Sequence, residues 1–288
     1  MKQLLILSGK GGTGKTTLAS AFIKLSQAKA YADCDVDAPN LHLVLEQPVE
    51  PQKKDFYGMP KSEINPLLCA KCDRCREHCR FDAVFIKDGI YQIDPFACEG
   101  CGVCEFVCPV RAISMKPHIA GELMLYDNKD AVFSTAQLKM GSGTSGLLVT
   151  EVKKEMRSVN KGAEIAIIDG SPGIGCPVIA SITGVDMVLI VAEPSVSGIS
   201  DLERIARTAE TFHTKIAVCV NKFDSNLEKT RNIMDYCKQN NIPYMGNIPY
   251  DENAVKAIND GMTIVDIYCD AGCAAQEVFN KTMKELNL

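Results

Sequence analysis

Eight cysteines carry the densest chemistry in this chain. Cys69, Cys72, Cys75 and Cys79 are spaced C-x2-C-x2-C-x3-C, and Cys98, Cys101, Cys104 and Cys108 repeat that spacing, with Pro109 following. Thiolates crowded in this way suit cubane iron–sulfur clusters, where each run gives three ligands to one cluster and its fourth to the neighbour. By that crossed rule Cys69, Cys72, Cys75 and Cys108 hold one 4Fe-4S cluster, and Cys98, Cys101, Cys104 and Cys79 hold the other. The alternative is a pair of zinc sites, which need only four thiolates per ion, usually as two well-separated C-x2-4-C pairs. The crowding favours iron–sulfur. Arg80 stands where a proline is expected after the first run, with the ligands themselves intact.

A second constellation sits directly after the apolar run Leu4–Leu7. Gly9, Lys10, Gly11, Gly12, Thr13, Gly14, Lys15, Thr16 and Thr17 form a glycine-rich turn leading into a helix whose apolar face is Leu18, Ala19, Phe22 and Ile23. Such a turn lets backbone N–H groups wrap phosphate oxygens at a helix N-terminus. Lys15 then reaches the β- and γ-phosphates, and the Thr16 hydroxyl ligates Mg2+.

Positioning these groups requires a sheet. Strands are expected at 3–7, 29–33, 121–126, 164–169, 186–192, 215–221 and 243–247. Helices are expected at 15–27, 145–158, 176–182, 199–212, 227–240, 251–259 and 272–286. That alternation implies an α/β fold with a mostly parallel sheet flanked by helices. Residues 46–62 are rich in Pro and Lys, show no period, and read as a linker. The span 63–118 reads as a small ferredoxin-like α+β domain inserted into a P-loop domain made of 1–62 and 119–288. Within it, 84–93 is a hairpin turning on Asp88-Gly89.

With 288 residues, 46% of them hydrophobic, the chain has room for one large domain and an insert. Its longest apolar stretches are too short to span a bilayer. Met1-Lys2-Gln3 leads straight into a core strand, so a signal peptide is not expected. A cytoplasmic location follows, where reduced thiols favour metal ligation over disulfides. A net charge of −5 argues against a broad nucleic-acid surface. The basic run Lys71, Arg74, Arg76 and Arg80 is either a solvated rim or a docking patch for an acidic redox partner.

Lys10 is a lysine that an ordinary P-loop does not need. With it, the loop resembles the deviant phosphate loop of the MinD/ParA superfamily. The likeness continues through Asp33-Cys34-Asp35-Val36-Asp37, similar to that family's switch I, and through 165–173, similar to its Walker B strand and switch II. Together with the cysteine insert, the chain resembles the branch of MinD-like ATPases that carry a ferredoxin domain. That resemblance implies a sandwich homodimer of slow ATP turnover, with ATP or ADP and Mg2+ bound and Lys10 crossing to the partner's nucleotide. Asp35 would position the attacking water, with Asp33 or Asp37 as alternates; either of those could instead cap or solvate a loop. Asp169 would join the Mg2+ shell, the Gly173 N–H would sense the γ-phosphate, and Asn221 would contact adenine. Asn221-Lys222-Phe223-Asp224 also matches the guanine-reading N-K-x-D of GTPases, but the deviant loop favours ATP.

Six cysteines lie outside the two runs. Cys219 reads as core. Cys176 follows Asp169 at an offset similar to that of the cluster cysteine in the nitrogenase iron protein. The glycine-rich stretch 141–146, which would have to supply a second ligand, has no cysteine, so a bridging cluster is not expected. Cys269 and Cys273 read as a helical pair in the interior, and otherwise as a loose version of a cluster-carrier motif. His78 is at most an outer tuner of the first run. Three functions follow from these readings: nucleotide-gated electron transfer, cluster assembly or metal insertion, and a MinD-like partner switch. The last needs a membrane- or DNA-binding face. The tail stripe Val278, Phe279, Met283 and Leu286 suits core packing better than a stable membrane anchor. The physiological partner, a redox or client protein, is not readable from the chain.

Overall fold

Apolar runs whose side chains point alternately to two covered faces build the centre of the structure, a computed structural model that describes residues 1–159 and 161–288. The chain opens with β1 (Lys2–Leu7), α1 (Lys15–Ser26), β2 (Ala30–Asp33), α2 (Leu41–Val44) and β3 (Gln52–Tyr57). The cysteine region follows as β4 (Lys61–Ile64), α3 (Arg74–Glu77), β5 (Val84–Lys87), β6 (Ile90–Ile93), α4 (Val103–Phe106) and β7 (Ile113–Lys116). The chain returns through β8 (Ile119–Asp127), β9 (Val132–Leu138), α5 (Ser145–Ser158), β10 (Ile165–Asp169), α6 (Cys176–Ile182) and β11 (Met187–Ala192). It continues with α7 (Val196–Thr211), β12 (Lys215–Asn221), α8 (Leu227–Gln239), β13 (Tyr244–Ile248), α9 (Glu252–Asn259) and α10 (Asp270–Leu286).

Nine strands form one sheet in the order β13-β12-β11-β1-β10-β2-β9-β8-β3. Pairing is parallel from β13 to β9, and β8 runs antiparallel to both β9 and β3. Leu5, Leu7, Ile168, Val188 and Ile190 pack with Leu148, Val152, Met156, Val178 and Ile205 from helices on one face. Leu4, Ile6, Ile167, Leu189 and Val191 pack with Leu18, Phe22, Ala275 and Val278 on the other. A strand covered on both sides reads as a continuous apolar run, which is why β1 and β11 show no polar alternation. In α10, Val278 and Leu286 are buried, and Phe279 meets Phe22 edge-on at 5.1 Å between ring centroids. The tail stripe is core packing, as expected.

Two expectations need correction. Residues 46–62 are not merely a linker, because they contain β3 and the start of β4. β3 pairs with β8 at the sheet edge and buries only Phe56, while Lys53 and Lys54 reach out to Glu122 and Glu155. An edge strand blunted by lysines has almost nothing to alternate, so its period is invisible. β9 also lies outside the expected strands. Ser134 and Thr135 interrupt its apolar run, yet both are fully buried.

The cysteine region leaves and re-enters the body through two adjacent strands. β4 and β7 pair antiparallel from Lys61↔Lys116 to Ile64↔Ile113. β5 and β6 form the expected hairpin, with Asp88 at φ 52° and Gly89 at φ 74° supplying the left-handed turn. Left-handed backbone recurs at matching places in the two cysteine runs, at Lys71 and Gly100, Asp73 and Gly102, and Asp82 and Arg111. The sequence duplication is therefore a backbone duplication.

Candidate functional site

β1 ends at the phosphate loop, and Gly14 (φ 88°) caps the start of α1 without a side-chain bond. The loop's N–H groups and the positive end of a 12-residue helix face one cavity. Lys15, Thr16, Asp35, Asp37 and Ser171 line that cavity with the loop itself. The Lys15 ammonium donates to Asp169 at 2.6 Å, and the Thr16 hydroxyl donates to the other oxygen of that carboxylate at 2.6 Å. Burial works against the charged form of Lys15, but Asp169, Asp33 and Asp35 together more than offset it and the pKa is raised. Asp33 is fully buried and accepts N–H bonds from Asp35, Asn40 and Leu41. Burial, then the Asp169 charge, pushes its carboxyl up to about 7. Burial also raises Asp35. Three carboxylates therefore crowd one ammonium, a charge imbalance that a divalent cation would relieve.

The other expected groups are held in place by the chain itself. The Gly173 N–H donates to the Ser8 carbonyl at 3.0 Å. Lys10 folds back onto Glu193 at 2.6 Å. Asp33, an alternate for orienting water, is committed to loop backbone and does not line the cavity, whereas Asp35 and Asp37 do.

The cysteines ring two cavities. One is lined by Cys69, Cys72, Cys75 and Cys108 with Ile64 and Ile113. The other is lined by Cys79, Cys98, Cys101 and Cys104 with Val84 and Ile93. The four sulfurs around each cavity are the four that the crossed rule groups together. Four thiols and a largely apolar wall suit a cubane cluster in each cavity. Among the described residues, no three His, Cys, Asp or Glu side chains close on a point that a single metal ion could occupy. Burial pushes the Cys75 and Cys104 thiols up.

Residues 4–264 match the family model described as the CobQ/CobB/MinD/ParA nucleotide binding domain. The chain belongs to that family. An uncharacterized protein of Methanocaldococcus jannaschii is 30% identical over 97% of this chain and 95% of its own length. An uncharacterized ferredoxin of the same organism is 32% identical over 117 residues, 39% of this chain and 77% of that protein. The solved cell division ATPase MinD of Pyrococcus furiosus shares the fold, with a TM-score of 0.59 at 16% identity over 99% of each chain. The chain is thus a MinD/ParA-type P-loop protein with partial similarity to ferredoxins.

In this MinD/ParA body, a second cavity adjoins the phosphate loop through Gly12, Gly14 and Thr17. Asn221 lines it and donates to the Thr13 carbonyl at 2.7 Å, close enough that a Cβ on Gly14 would lie 2.2 Å from its amide nitrogen. Pro249, Tyr250, Val255 and Ile258 complete its apolar wall. Sequence reading missed these four. Their signal was available, since the loop after β13 must sit at the C-terminal edge of a parallel sheet, where ligands bind. Asp224, the last residue of the N-K-x-D match, accepts the Tyr250 N–H at 2.9 Å.

Cys269 and Cys273 do not form the expected interior helical pair. Cys269 is buried at the N-cap of α10 with extended backbone, and its sulfur accepts the Gly272 N–H, whereas Cys273 is exposed. Cys219 is core. Cys176 is exposed and borders the glycine-rich stretch, where a Cβ on Gly146 would lie 3.2 Å from its carbonyl oxygen. That stretch also meets the cysteine region. A methyl group at Gly141 would come within 2.9 Å of the Phe96 ring, and one at Gly143 within 3.3 Å of the Glu99 carboxylate. The loop and the first turn of α5 therefore lie between the segment after β10 and the rim of the cavity lined by Cys98. Among the described residues, no helix is long and apolar enough to cross a membrane.

Proposed function

We propose that this protein is an ATP-binding, slowly hydrolysing homodimer that gates electron transfer through two 4Fe-4S clusters. Residues 63–118 are its ferredoxin-like domain, set within a P-loop domain of 1–62 and 119–288. The clusters, when bound, supply one-electron redox chemistry. Cys69, Cys72, Cys75 and Cys108 hold one, and Cys79, Cys98, Cys101 and Cys104 hold the other. Thr16 and Asp169 hold the Mg2+ shell, so entry of nucleotide trades the Lys15–Asp169 contact for Lys15–phosphate contacts. Asp35 orients the attacking water. The Gly173 N–H leaves Ser8 for the γ-phosphate. Lys10 leaves Glu193 to reach the partner's nucleotide, stabilising transition-state charge only when the dimer closes. Adenine fits the apolar cavity beside Asn221, and the commitment of Asp224 to the Tyr250 backbone favours ATP over GTP.

The observation that carries this reading is the shared loop. Glycines of the loop and of the first turn of α5 leave little room for a side chain against Cys176 after switch II at one end and against Phe96 and Glu99 beside a four-cysteine cavity at the other. A nucleotide-driven shift of switch II has a packed route to the cysteine region. Lys71 and Arg74 are exposed in the wall of the other cavity, which suits an acidic redox partner. Cluster donation is less well supported, because Cys269 and Cys273 are split between interior and surface.

Linkage supplies the test. If nucleotide changes the redox equilibrium, reduction must change nucleotide affinity by the same factor. ATP affinity measured by calorimetry on oxidised and dithionite-reduced protein should differ by ~5–150-fold. Equal affinities on iron-loaded protein would rule out gating.

A further inference from the structure

The two cysteine cavities are built on a duplicated backbone, yet their hydroxyl neighbours differ. Ser62 on β4 and Tyr91 on β6 occupy matching places, each seven residues ahead of the first cysteine of the next run. The Ser62 oxygen lies 3.1 Å from the Cys104 sulfur and is nearly buried. Tyr91 lines the other cavity beside Cys75, and its hydroxyl is turned to the Asp73 carboxylate. The preceding pair differs too, since the Lys61 ammonium donates to the Cys98 carbonyl whereas its match is Ile90.

Resting on the cluster assignment above, we infer that Ser62 is a positioning residue that raises the reduction potential of the centre held by Cys79, Cys98, Cys101 and Cys104, and of that centre alone. A sulfur bound to iron is a thiolate with no proton to give, so the bond reverses and the Ser62 O–H donates to it. Its other neighbour, the Met115 thioether at 3.1 Å, is a weak acceptor and loses to the anion. Reduction adds negative charge to the centre, so a donor aimed at its sulfur is favoured more in the reduced state. Lys61 adds a fixed cation at the backbone of the same run. The other cavity has Lys71 and Arg74 in its wall and an Ala112 N–H that donates to the Cys108 sulfur at 3.2 Å, so the Ser62 hydroxyl is the side-chain contact that a single substitution isolates at this centre alone.

Geometry gives this asymmetry a direction. β4 is the strand that arrives from the sheet edge, and Glu99 of the same cavity meets the loop into α5. The tuned centre is the one against the ATPase body. Raising that potential biases the electron toward the side where nucleotide can act.

The test needs no nucleotide, so it can fail independently of gating. Anaerobically reconstituted full-length protein is titrated to reduction with EPR detection of each centre. Ser62→Ala is expected to lower one midpoint, changing its reduced-to-oxidised ratio at fixed potential about tenfold, or ~59 mV for one electron, and to leave the other midpoint in place. Ser62→Thr, which keeps the hydroxyl, restores the parent value, and Tyr91→Phe leaves the Ser62-sensitive midpoint unmoved. Two unchanged midpoints in Ser62→Ala, or equal displacement of both, would overturn the inference. Protein that takes up no iron would overturn the cluster assignment with it, whereas iron-loaded protein with unresponsive potentials would overturn only the role of Ser62.

Discussion

Lys15 and Asp169 meet where neither reaches bulk water, and that contact decides what a substitution does. Removing one partner of a buried pair leaves the other uncompensated, typically at ~3–5 kcal/mol. Lys15→Ala should therefore lose both nucleotide binding and stability, read by nucleotide titration and chemical denaturation. Asp35→Asn, at the cavity wall, should keep both and lose turnover by ~100-fold or more, read by phosphate release. Unaltered turnover would move the water-orienting role elsewhere. Asp33 gives a pH signature. Its folded pKa of about 7 lies above the ordinary carboxyl value of 3.8. The stabilisation from its retained proton is full below the lower value and lost as pH rises through the higher one. Asp33→Asn cannot titrate, so it should gain stability relative to the parent as pH rises from about 4 to about 7. Parallel melting curves across that range would contradict the assignment.

At the scale of elements, Lys153 shows how the segment after switch II is anchored. It is 2% exposed, and its ammonium donates to the carbonyls of Ala180, Ser181 and Thr183 at the C-terminal end of α6. Helix ends leave such carbonyls without intrahelical partners, and a cation there also opposes the helix dipole. Lys153→Met should cost ~1–3 kcal/mol in denaturant unfolding and raise hydrogen exchange over 176–183. No change in either would mean that water replaces the ammonium. This capping role left no trace in the sequence, because a lysine on an amphipathic helix reads as surface. Other elements were legible for physical reasons. β1, β10, β11 and β12 announce themselves as apolar runs, and Asp88-Gly89 as the turn that only a left-handed backbone can make. β3 and β9 were hidden, one by edge lysines and the other by a buried Ser-Thr pair. The apolar cavity beside Asn221 draws on β13, α9 and α10, a convergence set by topology and not by spacing.

Across the whole molecule, the phosphate loop and the cysteine runs were readable because each is a local motif. Their connection was not, since it depends on a loop between β9 and α5 that contacts residues far away in sequence. Gly141→Ala tests that loop. Its φ of 77° and the Phe96 ring 2.9 Å from an added methyl oppose any side chain there. The variant should retain ATP affinity and iron content but weaken their mutual dependence; full retention of that dependence would place the coupling route elsewhere. The most direct measurement is the midpoint potential of each cluster with Mg-ADP and with a non-hydrolysable ATP analogue plus Mg2+. A coupling of ~1–3 kcal/mol predicts a displacement of ~40–130 mV in at least one midpoint. Identical potentials in both nucleotide states, on protein carrying its full iron, would contradict the account.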